Sequence, residues 1–326
     1  MSITGPVEIE APQGLMWKGG IYSGPFVLQP DAYGSWTLVE KVPMHRYLYG
    51  VVPYEIGFGS PPAALAAQAV LARTWALANA KRFSVDGYHL CSDTQCQVYK
   101  DPSEVSEVVK NAIAITAGKV LSWNKYPINA VYHASNGGVM ASGAEAWSMA
   151  PKKYLRAQLD APPDWINNFA LPLDRDAVAL LLEDRVSFYG KGHKLFRWER
   201  TYTAEQLKNI LEFKRQRMLL PTKVSVLKRG GSGRVVELEI RTLDKKSTFT
   251  LRLDEIRRTL RDLPSTLFVV NQVSEKSWQF VGGGFGHGAG LSQAGAIDLA
   301  RMGWTSEQIL RHYYPGTIYG PLPDSW

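Results

Sequence analysis

The chain has 326 residues, enough to bury a sizeable core as one large domain or two. Hydrophobic residues make up 45% of it and charged residues 21%, which excludes a disordered or low-complexity polymer, and no run approaches the ~20 apolar residues of a membrane span. The net charge of +7 favours an anionic partner, and the 10 Trp, 15 Tyr and 11 Phe suit carbohydrate as well as a core.

Residues 1–40 read as short strands broken by Gly and Pro: 7–10, 20–22, 26–28 and 35–39. Ser60 stands as an N-cap before Pro61 and Pro62, and the Ala-rich run 63–83 continues as a long helix. Asp101 caps a second helix with Pro102 at its first position, ending near Gly118. Strands follow at 120–123 and 128–132. Residues 165–265 differ in texture: helical runs at 175–184 and 203–218, then a meander of strands at 223–227, 235–241 and 247–252 around Gly230-Gly231-Ser232-Gly233. A short basic helix at 253–261 precedes a strand at 266–270. Gln293 to Met302 reads as a helix, and Thr305 with Gln308 forms a capping-box start for a last helix, 306–313. The fold class is α+β: a mixed core carrying the active-site cleft, with an inserted helical and β-meander subdomain. The boundaries are 1–40 for a β-rich segment, 41–164 and 266–326 for the two halves of the core, and 165–265 for the insert. Basic residues cluster at Lys214, Arg215 and Arg217, at Lys228 and Arg229, and at Arg257, Arg258 and Arg261. No recognition-helix or RNA-binding motif stands beside them, so nucleic acid is not expected as a partner.

The segment richest in chemistry is Gly282 to Ala296, where six glycines surround His287 before Ser292 and Gln293 open a helix. Glycines at this density permit positive φ and close approach to a ligand, so the run reads as a substrate-lining loop that includes Gly284. His133 and Ser135 end a strand that breaks into Asn136-Gly137-Gly138, a setting from which a histidine can hydrogen-bond a sugar or steady an oxocarbenium-like charge. Glu55 lies in an apolar loop, Val51-Val52-Pro53-Tyr54 before it and Ile56-Gly57 after it; partial desolvation there would move its pKa toward the range of a general acid. Gln68 and Arg73 lie within an otherwise apolar helix. A buried arginine needs a partner, either substrate or a loop carbonyl. Cys91 and Cys96 are the only cysteines, and their spacing allows a disulfide.

Taken in order, Tyr47 to Glu55 with 63–78, Cys91 to Tyr99, His133 to Gly138, and the Gly-His loop with Ile309 to Thr317 resemble the SpoIID/LytB family, the stage II sporulation protein D and amidase-enhancer proteins. The resemblance spans about Tyr47 to Gly320. It implies lytic transglycosylation of peptidoglycan glycan strands or stimulation of another cell-wall hydrolase. It implies Glu55 as the catalytic acid/base, and Gln68, Arg73, Gln97, Tyr99, His133, Ser135, Gly284, His287, Ser292 and Gln293 as substrate contacts. Glu55, His133 and His287 are expected to converge on one cleft. No cofactor is expected to be required. Some family members hold zinc through the cysteine segment, but Gln95 stands where related sequences often have His, so a disulfide ranks ahead of metal. The family implies an extracytoplasmic location, although residues 1–6 show no basic or apolar leader.

Overall fold

The computed structural model describes residues 5–212, 219–243 and 248–322. The fold is α+β, with helices and several small, mostly antiparallel sheets dividing into two compact units. The first comprises Met1–Val131, Gly303–Ile309 and Gly316–Trp326; the second comprises Tyr132–Met302 and Leu310–Pro315.

In the first unit, Val7–Ile9, Phe26–Pro30 and Trp36–Glu40 form an antiparallel sheet, and Leu15–Trp17 pairs with Gly20–Tyr22 as a separate hairpin. Helix α1 (Met44–Ile56) was not anticipated; Glu55 therefore sits in a helical last turn rather than in a loop. Gly50, Val51, Val52 and Pro53 all argue locally against a helix. Burial decides otherwise, because Leu48, Val51 and Val52 are fully enclosed. Helix α2 (Pro62–Ala78) is buried along nearly its whole length, from Ala64 to Ala76. It stops before Phe83 because Asn79 folds back, its side chain and backbone N–H both donating to the Trp75 carbonyl. Ser60 is not its cap: the hydroxyl donates instead to Ile56 O at the end of α1. Nor does Asp101 cap the next helix. Its carboxylate accepts the Ser103 and Ile21 N–H groups, closing a turn, and α3 (Glu107–Ile115) starts later under Ser106. Lys119–Trp123 pairs with Tyr126–Pro127 and with Ile318–Pro321.

The second unit holds α4 (Gly143–Ala146), α5 (Pro163–Ile166), α6 (Arg175–Glu183), α7 (Ala204–Glu212), α8 (Asp254–Thr259) and α9 (Gln293–Arg301). The expected meander is present as Pro221–Arg229, Val235–Thr242 and Thr248–Arg252, antiparallel throughout. A second antiparallel sheet orders Trp198–Thr203, Ser277–Gly282 and Phe268–Ser274. One apolar cluster, including Trp198, Leu238, Ile240, Phe268, Trp278 and Phe280, fills the space under both sheets. Another gathers Val139, Leu159, Val178, Leu181, Phe188 and Leu267. The segment 165–265 lies wholly within this unit. The basic cluster of Lys214, Arg215 and Arg217, the end of the 203–218 helix and the residue 247 strand start lie outside the described residues. Of the other basic residues, Arg257 and Arg258 both pair with Asp254, and Arg229 donates to the Gly233 and Phe268 carbonyls. Helix α10 (Ser306–Tyr313) starts with the expected reciprocal bonds between Thr305 and Gln308.

Candidate functional site

In the first unit, Glu55 projects from the last turn of α1, just before Gly57 ends the helix at φ 97°. Its Oε1 accepts the Val98 N–H at 2.8 Å. That N–H is presented by a loop closed by the Cys91–Cys96 disulfide, with Cα atoms 5.8 Å apart, and folded around Asp93, whose carboxylate accepts the Gln95 N–H. Gln97 and Tyr99 brace the same helix from behind. The Tyr47 hydroxyl donates to Gln97 Oε1 at 2.9 Å, and the Tyr47 and Tyr99 rings stack at 5.5 Å. The Tyr99 hydroxyl donates to Glu40 at 2.7 Å. Burial, and after it the charge of Glu55, pushes the Tyr47 hydroxyl well above the ordinary phenol range. Gly50 lets this packing close: a Cβ there would meet the Tyr99 ring and lie 2.5 Å from Lys100 O. Gln68 is fully buried on α2. Arg73, also buried, donates to the Lys119 carbonyl at 3.0 Å, the loop-carbonyl alternative expected for it.

In the second unit, the His133 turn and the Gly-His loop come together although some 150 residues separate them. Leu291–Ser292 pairs in parallel with Tyr132–His133, and Ser135 and Phe285 exchange backbone hydrogen bonds. The His133 and His287 ring centroids are 5.1 Å apart, so these two members of the expected cleft converge. Trp147 lies against His287 at 4.6 Å. Gly284 sits at φ 84° with its carbonyl accepting the Trp198 indole N–H, and a Cβ would fall 2.6 Å from Ser135 O. The Ser135 hydroxyl accepts from Gly137 N, within the turn. The Ser292 hydroxyl caps α9 through Gly295 N and also accepts from Asn136 N. Gln293 is the buried first residue of that helix.

The two histidines have defined tautomers, assigned from their partners. His287 donates through Nε2 to Tyr132 O at 2.9 Å and accepts the Ala289 N–H through Nδ1 at 3.1 Å, so both nitrogens are used by the loop itself. Burial lowers its pKa to about 4. His133 donates through Nδ1 to Ala289 O at 3.1 Å, leaving Nε2 as a lone pair with no partner among the described residues. Burial first, then His287 and Arg234, hold His133 neutral. Neutral, buried imidazoles of this kind tie the loop to its neighbouring strand; they do not deliver protons near neutral pH.

Four residues of this region escaped the sequence reading. Arg234 is fully buried, donates to Asn136 O at 2.8 Å, and lies where a Cβ on Gly288 would fall. Glu145 accepts from Ser142 N, Ser232 N and the Ser232 hydroxyl. Asp160 is fully buried, accepting from Asn136 Nδ2 at 2.6 Å and Tyr313 OH at 3.0 Å, with His312 Nε2 at 2.8 Å from its other oxygen. The fourth is Trp147. The Ser142–Glu145 spacing is a capping-box signal that could have been found. The other three carry no local signature, because their partners are distant in sequence.

The cysteine segment does not fit a zinc ion. Its two sulfurs are bonded to each other, Gln95 supplies no imidazole, and among the described residues no three His, Cys, Asp or Glu side chains gather in a metal-binding group.

An α+β protein with a helix-borne carboxylate bonded to the backbone just after a disulfide-closed loop, and with a paired-histidine glycine loop, is what the fold and these groups define. The profile described as "Stage II sporulation protein" matches residues 32–123, which include Glu55, Gln68, Arg73, Cys91, Cys96, Gln97 and Tyr99. A profile described as a domain of unknown function matches residues 141–290, including Gly284 and His287. The chain is 28% identical over 295 residues to stage II sporulation protein D of Bacillus subtilis, covering 86% of this chain and 75% of that protein. It is 28% identical over 294 residues to the amidase enhancer of Bacillus subtilis, covering 83% of this chain but 40% of that protein. Stage II sporulation protein D of Bacillus amyloliquefaciens is 27% identical over 301 residues, with 85% of this chain and 74% of that protein covered. Residues 32–123 are similar to that sporulation-protein family, and the resemblance to the SpoIID/LytB family read from the motifs is borne out.

Proposed function

We propose that the chain is a peptidoglycan lytic transglycosylase that cleaves glycan strands between MurNAc and GlcNAc. The observation that supports this best is Glu55: a carboxylate at the end of an apolar helix, oriented by the Val98 N–H. A hydrolase of the usual kind needs two carboxylates, whereas transglycosylation needs one. Glu55 in its acid form protonates the glycosidic oxygen as the bond to muramyl C1 breaks. The resulting carboxylate takes the proton of the muramyl C6 hydroxyl as that oxygen bonds to C1. The products are a free GlcNAc hydroxyl and a 1,6-anhydromuramyl end, with no water consumed. An extracytoplasmic setting fits the Cys91–Cys96 bridge.

Glu55→Gln is expected to lower release of anhydromuropeptides by at least about 100-fold while leaving pelleting with purified sacculi intact. Mass spectrometry of the digest measures it, and undiminished anhydro products from that variant would place the acid elsewhere. A second reading, favoured by the similarity to a protein named amidase enhancer, is a non-catalytic wall binder that stimulates another hydrolase. It predicts that wild type releases no anhydro products and that Glu55→Gln stimulates an added amidase as well as wild type does.

A further inference from the structure

The second unit holds a groove of about 540 Å³, within the range of roughly 300–1,000 Å³ typical of small-ligand sites. Its floor is the stretch 186–191, and its walls are α5, carrying Asp164 and Trp165, and the end of α9, carrying Asp298 and Arg301. We infer that this groove is a glycan subsite that takes a neutral N-acetylhexosamine unit of a strand. This rests on the glycan-directed reading above.

Three features point to a sugar. Trp165 is half-exposed, yet its indole Nε1 is shielded and has no acceptor among the described residues. The accessible part of the ring is therefore carbon surface, which suits stacking against the C–H face of a pyranose. The charged lining is balanced, Asp164 and Asp298 against Lys191 and Arg301, within a chain whose net charge is +7. That balance disfavours a polyanion and offers donors and acceptors for hydroxyl and acetamido groups. Finally, the floor is held rigidly. Gly190 N–H donates to Asp298 at 2.8 Å, and Tyr189 N–H donates to the Asp160 carbonyl at 2.9 Å. The same Asp160 fixes Asn136 through its carboxylate and Gly138 through its backbone, so groove and His133 turn share one anchor.

The test is titration of the full chain with tri-N-acetylchitotriose, following tryptophan indole resonances and binding heat. Wild type is expected to bind with a perturbed Trp165 signal. Trp165→Ala should weaken binding at least about tenfold, while Trp165→Phe, which keeps an aromatic face and guards against misfolding, should stay within about threefold. Glu55→Gln should bind like wild type whatever its activity, which separates this inference from the catalytic one. Equal affinity in Trp165→Ala and wild type overturns the subsite. So does a stem peptide, rather than chitotriose, perturbing Trp165.

Discussion

His287 and His133 act at the level of single atoms. Each is held as a neutral tautomer by a backbone partner; to take a second proton His287 would have to give up the Ala289 N–H, and His133 would have to hold a charge at a buried nitrogen. For His287 burial is the main cause; Arg257 and Arg234 add to it, while the Tyr132 carbonyl and Asp254 oppose it. Its folded value of about 4 lies below the ordinary 6.5, so between these limits the unfolded chain binds more protons than the folded one. The stability contributed is full above pH 6.5 and is lost as pH falls toward 4. For His287 alone the linked loss by about pH 4 should be on the order of 3 kcal/mol, and His133, shifted in the same direction, adds to it. Thermal melts from neutral to acid pH, in wild type and His287→Gln, check this: the variant should start less stable and show a shallower fall. Parallel curves would mean that the histidines do not carry the dependence.

At the element scale, α1 and the disulfide loop determine how Glu55 is held. In an exposed helix Gly→Ala adds about 1 kcal/mol of stability. At Gly50 the sign should reverse, because a methyl there would drive into Tyr99 and the Lys100 carbonyl. Urea denaturation of Gly50→Ala should show a loss of roughly 2 kcal/mol or more. The loop closed by Cys91 and Cys96 is short, and chain entropy predicts that Cys91→Ser with Cys96→Ser costs about 2 kcal/mol. Activity should fall too, since Val98 N–H orients Glu55. Exhaustive chelation without reductant should leave activity unchanged; a loss reversed by zinc alone would make the cysteines metal ligands.

Across the whole molecule, the net charge of +7 should act as a long-range attraction for anionic wall polymers. Sacculus pelleting is expected to weaken several-fold between about 50 and 500 mM salt, where screening shortens to within a few ångströms. Sacculi stripped of their anionic polymers should show less of this dependence. Salt-independent binding would assign the affinity to neutral sugar contacts alone.

Residues with local or pairwise signals were legible from the sequence. The α+β class, the three-stranded meander and the Thr305–Gln308 start of α10 follow from patterns within a few residues, while the choice of a disulfide over metal drew on the cysteine spacing together with the family resemblance, in which Gln95 stands where His is common. The approach of His133 to His287 was expected because each sits next to glycine on irregular or strand-end backbone. Tertiary structure decided what depends on distant partners. It made a helix of Met44–Ile56 against the preferences of Gly50 and Pro53, because burial of Leu48, Val51 and Val52 outweighs propensity. It turned Asp101 into a bracket for Ile21, eighty residues away, instead of a helix cap. It placed Arg234 and Asp160 beneath the His133 turn through Asn136, a contact no local window contains. Short-range hydrogen bonds and turn chemistry are written in neighbouring residues. Which buried polar group meets which carbonyl is fixed only when the chain has packed and most such groups are brought to a partner.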